Sequence, residues 1–346
     1  MISNFRIPAL GLALAMGGLP MEAHGAMSAE QFYKGKNITV LCPYSAKGGY
    51  GFLTRMIADY LPKYLPGQPR GVPQFKPGAA GAVQAGYLST VAPRDGTAIG
   101  LMYDGLPTAQ ALGIQKAKFD VRQFIVLGSL DKGLTGALAV WKTSGVKTIQ
   151  DAMKKQLALG SNNTRSGQHF LPLVLNRTAG TKFKLISGYH GSNGVFLAME
   201  RGELDGVFTN YATYLQHHPQ WVKENRLNFL VQLGQRPHPA LKGVPMMYDL
   251  AKSEIDKEAI KFLVYSRITG KAVITPPGVP AERVSALRAA FAAMVKDKGF
   301  IQRMTKTKRK VEPRTWQEAR DLILATVDAK PEVLARVREL TKTTKK

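Results

Sequence analysis

The chain has 346 residues, a formal net charge of +24 at pH 7 and a single cysteine. This length exceeds what one small hydrophobic core can organise, so it predicts two domains. One cysteine excludes an intramolecular disulfide, and we interpret Cys42 as a core residue because it lies in a predicted buried strand. The basic residues are scattered and lack interleaved aromatic residues, a pattern that disfavours nucleic-acid binding.

The N-terminus has the pattern of a secretory signal peptide. Arg6 supplies a short positive segment, residues 7–19 are mostly apolar, and residues 23–25 resemble a small-residue cleavage site. We predict that residues 1–25 are removed near Gly25/Ala26, which places the mature chain in the periplasm. An N-terminal membrane anchor is the alternative, but the apolar run of about 13 residues is shorter than a spanning helix needs.

Two glycine-rich turns follow, each between a predicted strand and a predicted helix. The first turn, residues 47–51, comes after the apolar run 38–42, and the second, residues 77–81, comes after the run 72–76. A third strand is predicted at residues 98–102, and this alternating order predicts a parallel sheet. The free N–H groups at the two helix N-termini can form a cradle for an anion, most simply a carboxylate.

A second α/β unit is predicted in the middle of the chain. Its short strands are expected at residues 157–160, 183–186, 204–208 and 227–231, with helices between them. The C-terminal part returns to helix, and Thr315 with Glu318 fits the capping box of one such helix.

Several blocks of sequence, taken in order, resemble the substrate-binding receptors of tripartite tricarboxylate transporters, the TctC or Bug family. The blocks are residues 43–55, 64–69, 77–81, 92–97, 175–184, 188–191, 197–206 and 276–280, which together extend over nearly the whole mature chain. The resemblance implies an α/β fold, namely a two-domain periplasmic binding protein of type II (Venus flytrap) with the ligand cleft between the domains. We predict that residues 26–134 and 234–346 form domain 1 and residues 135–233 form domain 2.

The resemblance also implies a function. A receptor of this family captures a small carboxylate outside the cytoplasm and delivers it to the membrane permease subunits of the transporter. We therefore expect a monomer that uses no cofactor or metal, binds no nucleic acid and catalyses no reaction. Two alternatives stay open: a sensory component that presents its ligand-bound state to a signalling partner, and an α/β enzyme that binds a cofactor. The first glycine turn lacks the Gly-x-Gly-x-x-Gly spacing of a dinucleotide site, which argues against the enzyme.

Carried over position by position, the resemblance implies ligand-binding residues on two walls. Those of the first wall are Tyr44, Gly48, Gly49, Tyr50, Gly51, Gly78, Ala79, Ala80 and Gly81. Those of the second wall are Ser161, Thr164, Arg165, Ser166, Tyr189 and Asn210. Three places depart from the family pattern. Gly51 stands where an aspartate is common, Ala80 stands where a glycine is common, and residues 162–166 replace a turn of the Thr-Gly-x-Gly-Ser type.

The roles of Arg165 and of the histidines are considered separately. Arg165, if it faces the cleft, can pair bidentately with a second carboxylate of the ligand, whereas an arginine that points to solvent from the loop is the alternative. We interpret the histidines, including His169, as surface or polar-core residues because they lack the spacing of metal ligands.

Overall fold

The computed structural model describes residues 1, 27–114, 119–133, 135–164, 166–268, 270–307 and 309–342, without the side chains of residues 266 and 267. The predicted signal peptide therefore lies outside the described residues except for residue 1, and Arg165 lies outside them as well. Among the described helices, none combines the length and the apolar character that crossing a membrane requires.

Strands and helices alternate along the chain, as the sequence predicts. The strands are β1 (Asn37–Cys42), β2 (Arg70–Phe75), β3 (Ala98–Leu101), β4 (Ile125–Ser129), β5 (Gly136–Trp141), β6 (Leu157–Ser161), β7 (Phe183–Ser187), β8 (Gly206–Asn210), β9 (Leu227–Leu233) and β10 (Ala272–Thr275). The helices are α1 (Ala29–Tyr33), α2 (Gly48–Tyr60), α3 (Ala82–Thr90), α4 (Leu106–Ala111), α5 (Ile149–Lys154), α6 (Gly167–Thr178), α7 (Gly191–Glu200), α8 (Tyr211–His217), α9 (Pro219–Lys223), α10 (Glu254–Ile268), α11 (Ala281–Met294), α12 (Lys298–Lys306), α13 (Trp316–Val327) and α14 (Pro331–Thr341). The predicted capping box of Thr315 and Glu318 is present at the start of α13.

The strands form two five-stranded mixed sheets, in the orders β2-β1-β3-β10-β4 and β7-β6-β8-β5-β9. In the first sheet β1 is parallel to β2 and β3, which confirms the parallel arrangement expected for the first three strands. β10 instead runs antiparallel to β3 and β4, so the sheet is mixed. In the second sheet β6 is parallel to β7 and β8, and β5 is antiparallel to β8 and β9. The predicted two-domain α/β fold is confirmed.

Helices cover both faces of each sheet, and the apolar cores lie between. On the first sheet, α2 and α11 bury residues such as Ile57 and Met294 on one face, and α3 and α13 bury residues such as Leu88 and Ile323 on the other. On the second sheet, one face carries α7 to α9 and the other carries α5 and α6. Cys42 is buried in β1 as a free thiol, as predicted.

The chain crosses between the two sheets after β4, after α10 and after α13. Helices α10 and α14 pack on the core of the second sheet, through residues such as Ile260 and Val337. Both helices fall within the C-terminal stretch that we assigned to domain 1 from the sequence. The division at residues 134 and 234 stays a prediction, and this packing associates α10 and α14 with the second sheet.

A buried arginine lies at the crossing after β4. Arg314 is 6% exposed, its Nη2 donates to the carbonyl of Lys132 at 2.9 Å, and its Nη1 donates to Oε1 of Gln235 at 3.1 Å. Its backbone also pairs with Ser129 at the end of β4. Because Gln235 follows β9 of the second sheet, this one guanidinium connects chain segments that adjoin both sheets.

Candidate functional site

The first wall of the candidate site is the edge of the first sheet where β1, β2 and β3 end. Helices α2, α3 and α4 begin at this edge, after the turns that follow those strands. The two glycine-rich turns are neighbours there, since the N–H of Lys76 donates to the carbonyl of Cys42 at 2.9 Å. Open α/β sheets bind ligands outside the carboxyl ends of their parallel strands, so the predicted first-wall residues lie where such a sheet places its ligand.

The first turn presents the N-terminus of α2. The N-cap residue Lys47 makes no side-chain cap, and Gly48 has φ = 88°, a left-handed conformation that glycine adopts without strain. Gly49 is exposed, and a Cβ built on it would lie 3.4 Å from Nη2 of Arg309. The uncapped helix N-terminus and this guanidinium together give the first turn a positive potential that favours an anion.

Gly51 allows residues 45–46, just before the first turn, to pack closely on α2. The residue is buried, and a Cβ at this position would lie 2.1 Å from the carbonyl oxygen of Ala46. Any side chain here would push residues 45–46 away from the helix, so close packing of the turn against α2 requires glycine.

The second turn has positive φ angles over four successive residues. Gly78, Ala79, Ala80 and Gly81 have φ values of 135°, 44°, 46° and 85°. Left-handed geometry costs an L-residue about 1–2 kcal/mol, so Ala79 and Ala80 are strained. Such strain is concentrated at ligand-binding sites in proteins. Gly81 also has to be glycine because a Cβ would lie 2.7 Å from Cβ of Tyr103.

Three tyrosine rings line the first wall between the two turns. The ring centroids of Tyr44 and Tyr50 are 5.0 Å apart, those of Tyr44 and Tyr103 are 5.8 Å apart, and those of Tyr50 and Tyr103 are 6.4 Å apart. Burial raises the pKa of Tyr44 to about 12, with smaller contributions from Tyr103 and Asp104. Burial also raises the pKa of Tyr50 and of Tyr103. All three hydroxyls therefore stay protonated at physiological pH and add no charge to the wall.

An ion pair adjoins the tyrosines. The ammonium group of Lys271 contacts the carboxylate of Asp104, and Nζ of Lys271 lies 5.0 Å from the ring centroid of Tyr50. The hydroxyl of Tyr50 accepts a hydrogen bond from the backbone N–H of Asp104 at 3.2 Å. Lys271 immediately precedes β10 and follows the crossing from α10, so this pair attaches the crossing segment to the first wall.

The second wall is the edge of the second sheet where β6, β7 and β8 end. Helices α6, α7 and α8 begin there. Ser166 is the N-cap residue of α6, and its hydroxyl donates to the carbonyl of Asn163 at 2.8 Å. Asn210 is the N-cap residue of α8, and Thr164 is exposed in the turn between β6 and α6. The backbone N–H of Tyr189 donates to the carbonyl of Ser161 at 3.3 Å.

Two hydroxyls and an imidazole meet on this wall. Nδ1 of His169 lies 2.8 Å from Oγ of Ser187 and 3.2 Å from Oγ of Ser161, and the two Oγ atoms are 2.8 Å apart. Ser161 is 1% exposed, whereas Ser187 is exposed at the end of β7. Burial lowers the pKa of His169, which favours the neutral imidazole near neutral pH.

Within each wall the structure brings the predicted residues to one edge of a sheet. On the first wall Tyr44 and Tyr50 adjoin each other and Tyr103, which in turn lies beside Gly81. On the second wall Ser161 adjoins Tyr189. The orientation of Arg165 is not described, so its predicted role stays a prediction. Among the described residues, no group of histidine, cysteine or carboxylate side chains is arranged to hold a metal ion.

Four further residues of the two walls are not among the site residues that the sequence predicts: Tyr103, Lys271, His169 and Ser187. Tyr103 lies two residues after β3 and Ser187 is the last residue of β7, and a position at a strand end is a usable signal. Lys271 offers no such signal, because β10 pairs with strands far earlier in the chain. His169 is brought to the two serines only by the pairing of β6 with β7.

Comparisons with known proteins give both a family and a fold. The sequence model of the family described as "ABC transporter, phosphonate, periplasmic substrate-binding protein" matches residues 107–318. A search of curated proteins by sequence found no match.

Several solved structures of solute-binding proteins share this fold. A ligand-free TctC solute-binding protein from Polaromonas is 18% identical with a TM-score of 0.66, over 89% of this chain and 98% of that one. A Rhodopseudomonas palustris protein with adipate is 18% identical with a TM-score of 0.52, over 88% and 97% of the two chains. MatC from the same organism, with bound malate, is 18% identical with a TM-score of 0.50, over 89% and 99%. At the level of the fold, these likenesses confirm the resemblance seen in the sequence.

Proposed function

The chain belongs to the family of periplasmic substrate-binding proteins whose model matches residues 107–318, and from this premise we propose that it is a receptor for a small carboxylate. In this proposal the protein acts as a monomer in the periplasm and delivers the ligand to the membrane permease subunits of a tripartite tricarboxylate-type transporter. Proteins of this class bind small ligands and work with membrane transporter components.

The observation that carries the proposal is the pair of glycine turns on the first wall. The uncapped N-terminus of α2 at Gly48 and the left-handed turn before α3 lie side by side at the ends of neighbouring parallel strands. Backbone N–H groups at such positions bind anions, and the absence of side chains at Gly48 and Gly49 allows a carboxylate to approach them. Arg309 beside Gly49 adds a positive charge from outside the turn.

The ligand's body is proposed to lie against Tyr44, Tyr50 and Tyr103. Their rings are uncharged and half-buried, so they suit the apolar part of an organic acid better than a second anionic group. The opposite wall offers hydroxyls and helix N-termini, which suit polar atoms of the ligand. Closure of the two domains would then enclose the ligand between an aromatic wall and a polar one.

The ligands bound in two related structures motivate the probes for a direct test. MatC has bound malate and the second Rhodopseudomonas protein has adipate, whereas the family model is described by phosphonate transport. We would screen malate, adipate, benzoate and methylphosphonate by thermal shift on the purified mature chain. Stabilisation by a carboxylate is the expected result, and stabilisation by methylphosphonate alone would contradict the proposed ligand class.

A matched pair of variants tests whether the first turn forms the site. Gly49→Val places a side chain over the N-terminus of α2 at a position with ordinary φ, where only the movable end of Arg309 is near. Gly86→Val is the control, since Gly86 is also in a helix with ordinary φ and a Cβ there meets nothing within 4 Å. Gly49→Val should lower carboxylate affinity at least tenfold, while Gly86→Val should leave it unchanged. Equal affinities for the two folded variants would reject the first turn as the anion site.

A further inference from the structure

Ser161, Ser187 and His169 form a hydrogen-bonded cluster on the second wall. The protonation state of His169 determines which hydroxyl hydrogens of this cluster are used internally. A neutral imidazole has one donor nitrogen and one acceptor nitrogen, whereas each hydroxyl has one hydrogen to donate. Nδ1 of His169 faces both hydroxyl oxygens, at 2.8 Å and 3.2 Å. The direction in which each hydroxyl donates is therefore set by the protonation of this nitrogen.

When Nδ1 of His169 is an acceptor, both hydroxyl hydrogens are used within the cluster. Ser187 donates to Nδ1 over the shorter distance of 2.8 Å. Ser161 donates to Oγ of Ser187 at 2.8 Å or to the carbonyl of Ile186 at 3.4 Å. In this state the exposed Ser187 offers only oxygen lone pairs towards the cleft, and lone pairs repel an anion.

We propose that His169 is a proton switch of the second wall: protonation turns Nδ1 from an acceptor into a donor, and this frees the hydroxyl hydrogen of Ser187 to bind an anionic oxygen of the ligand. One proton is taken from solvent for each ligand bound, and no covalent bond changes other than N–H formation. The inference rests on the proposed function in one respect, namely that the ligand is an anion.

The described elements that pack around His169 place no ion pair on its imidazole. β6 and β8 carry no charged residue within their bounds, and β7 carries only Lys184. On α6 itself, Arg177 donates to carbonyls at the end of α14. On α14, Glu332 and Arg338 have no ion pair with α6, and Arg336 pairs with Asp256 and Glu339. Among the described residues, burial is the one cause that shifts the pKa of His169, and it lowers this pKa.

The sign of the coupling follows from these surroundings. In the free protein burial disfavours the charged imidazole and lowers its pKa. A bound anion next to Ser187 favours the imidazolium and raises the pKa, so ligand binding takes up a proton. Affinity should therefore rise as the pH is lowered through the interval between the free and bound pKa values, by at most about tenfold per pH unit.

The first experiment needs no ligand. We would label the histidines of the mature chain with ¹⁵N and identify the His169 signals by their loss in His169→Asn. At pH 8 the neutral ring is expected to carry its proton on Nε2, and the ring is expected to titrate below the ordinary range of histidine. A neutral ring protonated on Nδ1 would overturn the proposal, because the hydrogen of Ser187 would then already be free.

The second experiment measures the coupling with malate and adipate by calorimetry at pH 6 and pH 8. His169→Asn places an amide near the position of Nδ1 without a titrating group, and His217→Asn is the control because His217 is exposed on α8. The affinity ratio between the two pH values should be at least threefold larger in the wild type and in His217→Asn than in His169→Asn. Equal ratios would overturn the switch. Absence of binding by either acid would count against the carboxylate ligand, while the tautomer measurement would still decide the role of His169.

Discussion

The hydroxyl oxygen of Tyr50 accepts a hydrogen bond from the backbone N–H of Asp104 at 3.2 Å, which joins the first turn of α2 to the loop after β3. Burial and the Asp104 carboxylate both raise the pKa of Tyr50, so the hydroxyl stays protonated. Tyr50→Phe should therefore lower the free energy of unfolding by about 1 kcal/mol, the usual net contribution of a partly buried hydrogen bond. Chemical denaturation measures this loss.

Tyr64→Phe is the matched control for that variant. The hydroxyl of Tyr64 also bonds a partner distant in sequence, donating to Asp297 at 2.5 Å, but this contact is exposed. Water replaces an exposed hydrogen bond readily, so its loss should change stability less than the loss at Tyr50. A larger effect at Tyr64 than at Tyr50 would contradict the importance of the link between α2 and the loop after β3.

Much of this wall could be predicted from the sequence, because its parts are local. The glycines at 48 and 49 follow the contiguous apolar run of β1, those at 78 and 81 follow β2, and the helices after both turns have clear periodicity. The contribution of Lys271 could not be predicted in this way. It depends on β10 inserting antiparallel between β3 and β4, a pairing of segments far apart in the chain.

The same limit applies to the second wall and to the C-terminal helices. The strand ends at Ser161 and Asn210 could be placed by pattern, but the approach of His169 to Ser187 depends on the register between β6 and β7. Helix α14 is amphipathic and gives no indication of which sheet it covers. Its packing on the second sheet follows from contacts with α10 and α6, which no local pattern encodes.

The backbone strain of the second turn predicts a substitution that raises the free energy of unfolding, in contrast to Tyr50→Phe. Ala80 has φ = 46°, which costs an L-residue about 1–2 kcal/mol, whereas glycine has no such penalty. Glycine loses more backbone entropy on folding, by about 0.5–1 kcal/mol, so Ala80→Gly should stabilise the fold by up to about 1 kcal/mol. Thermal and chemical unfolding both report this gain.

Ala289→Gly provides the contrast, because Ala289 is exposed in the interior of α11 with helical backbone. There the same substitution should destabilise by about 1 kcal/mol. Two losses of similar size would show that the left-handed conformation at Ala80 does not persist in solution.

Arg314 should be necessary for the stability of the crossing between the sheets. Its guanidinium is buried and donates to the Lys132 carbonyl and to Gln235 Oε1. Arg314→Met removes both donors and leaves two acceptors without them, which should cost about 2–4 kcal/mol. Denaturant titration of the mature chain measures the loss, with Arg320→Met as the control because Arg320 is exposed on α13. A loss below that of the control would show that the crossing does not depend on this guanidinium.

The two histidines with lowered pKa values predict how stability depends on pH. Burial lowers the pKa of His169 and that of His218, and for His218 the nearby Glu200 opposes the shift only in part. The ring of His218 stacks on Trp221 with centroids 3.8 Å apart, which explains its burial. In the unfolded chain both rings recover the ordinary affinity for protons, so the unfolded state binds more protons than the folded state around pH 6.

This sign determines the outcome of acidification. The contribution of both rings is fully present above the unfolded pKa and is lost as the pH falls through the folded pKa, so the free energy of unfolding should decrease between pH 7 and pH 5. In the double variant His169→Asn/His218→Asn this decrease should be smaller, even if the variant is less stable at pH 7 because the stacking on Trp221 is lost. The slope, measured by urea denaturation at several pH values, isolates the titration from the packing. An unchanged slope would assign the acid sensitivity to the carboxylates, and an increased slope would mean that the two imidazoles are stabilised in their charged form.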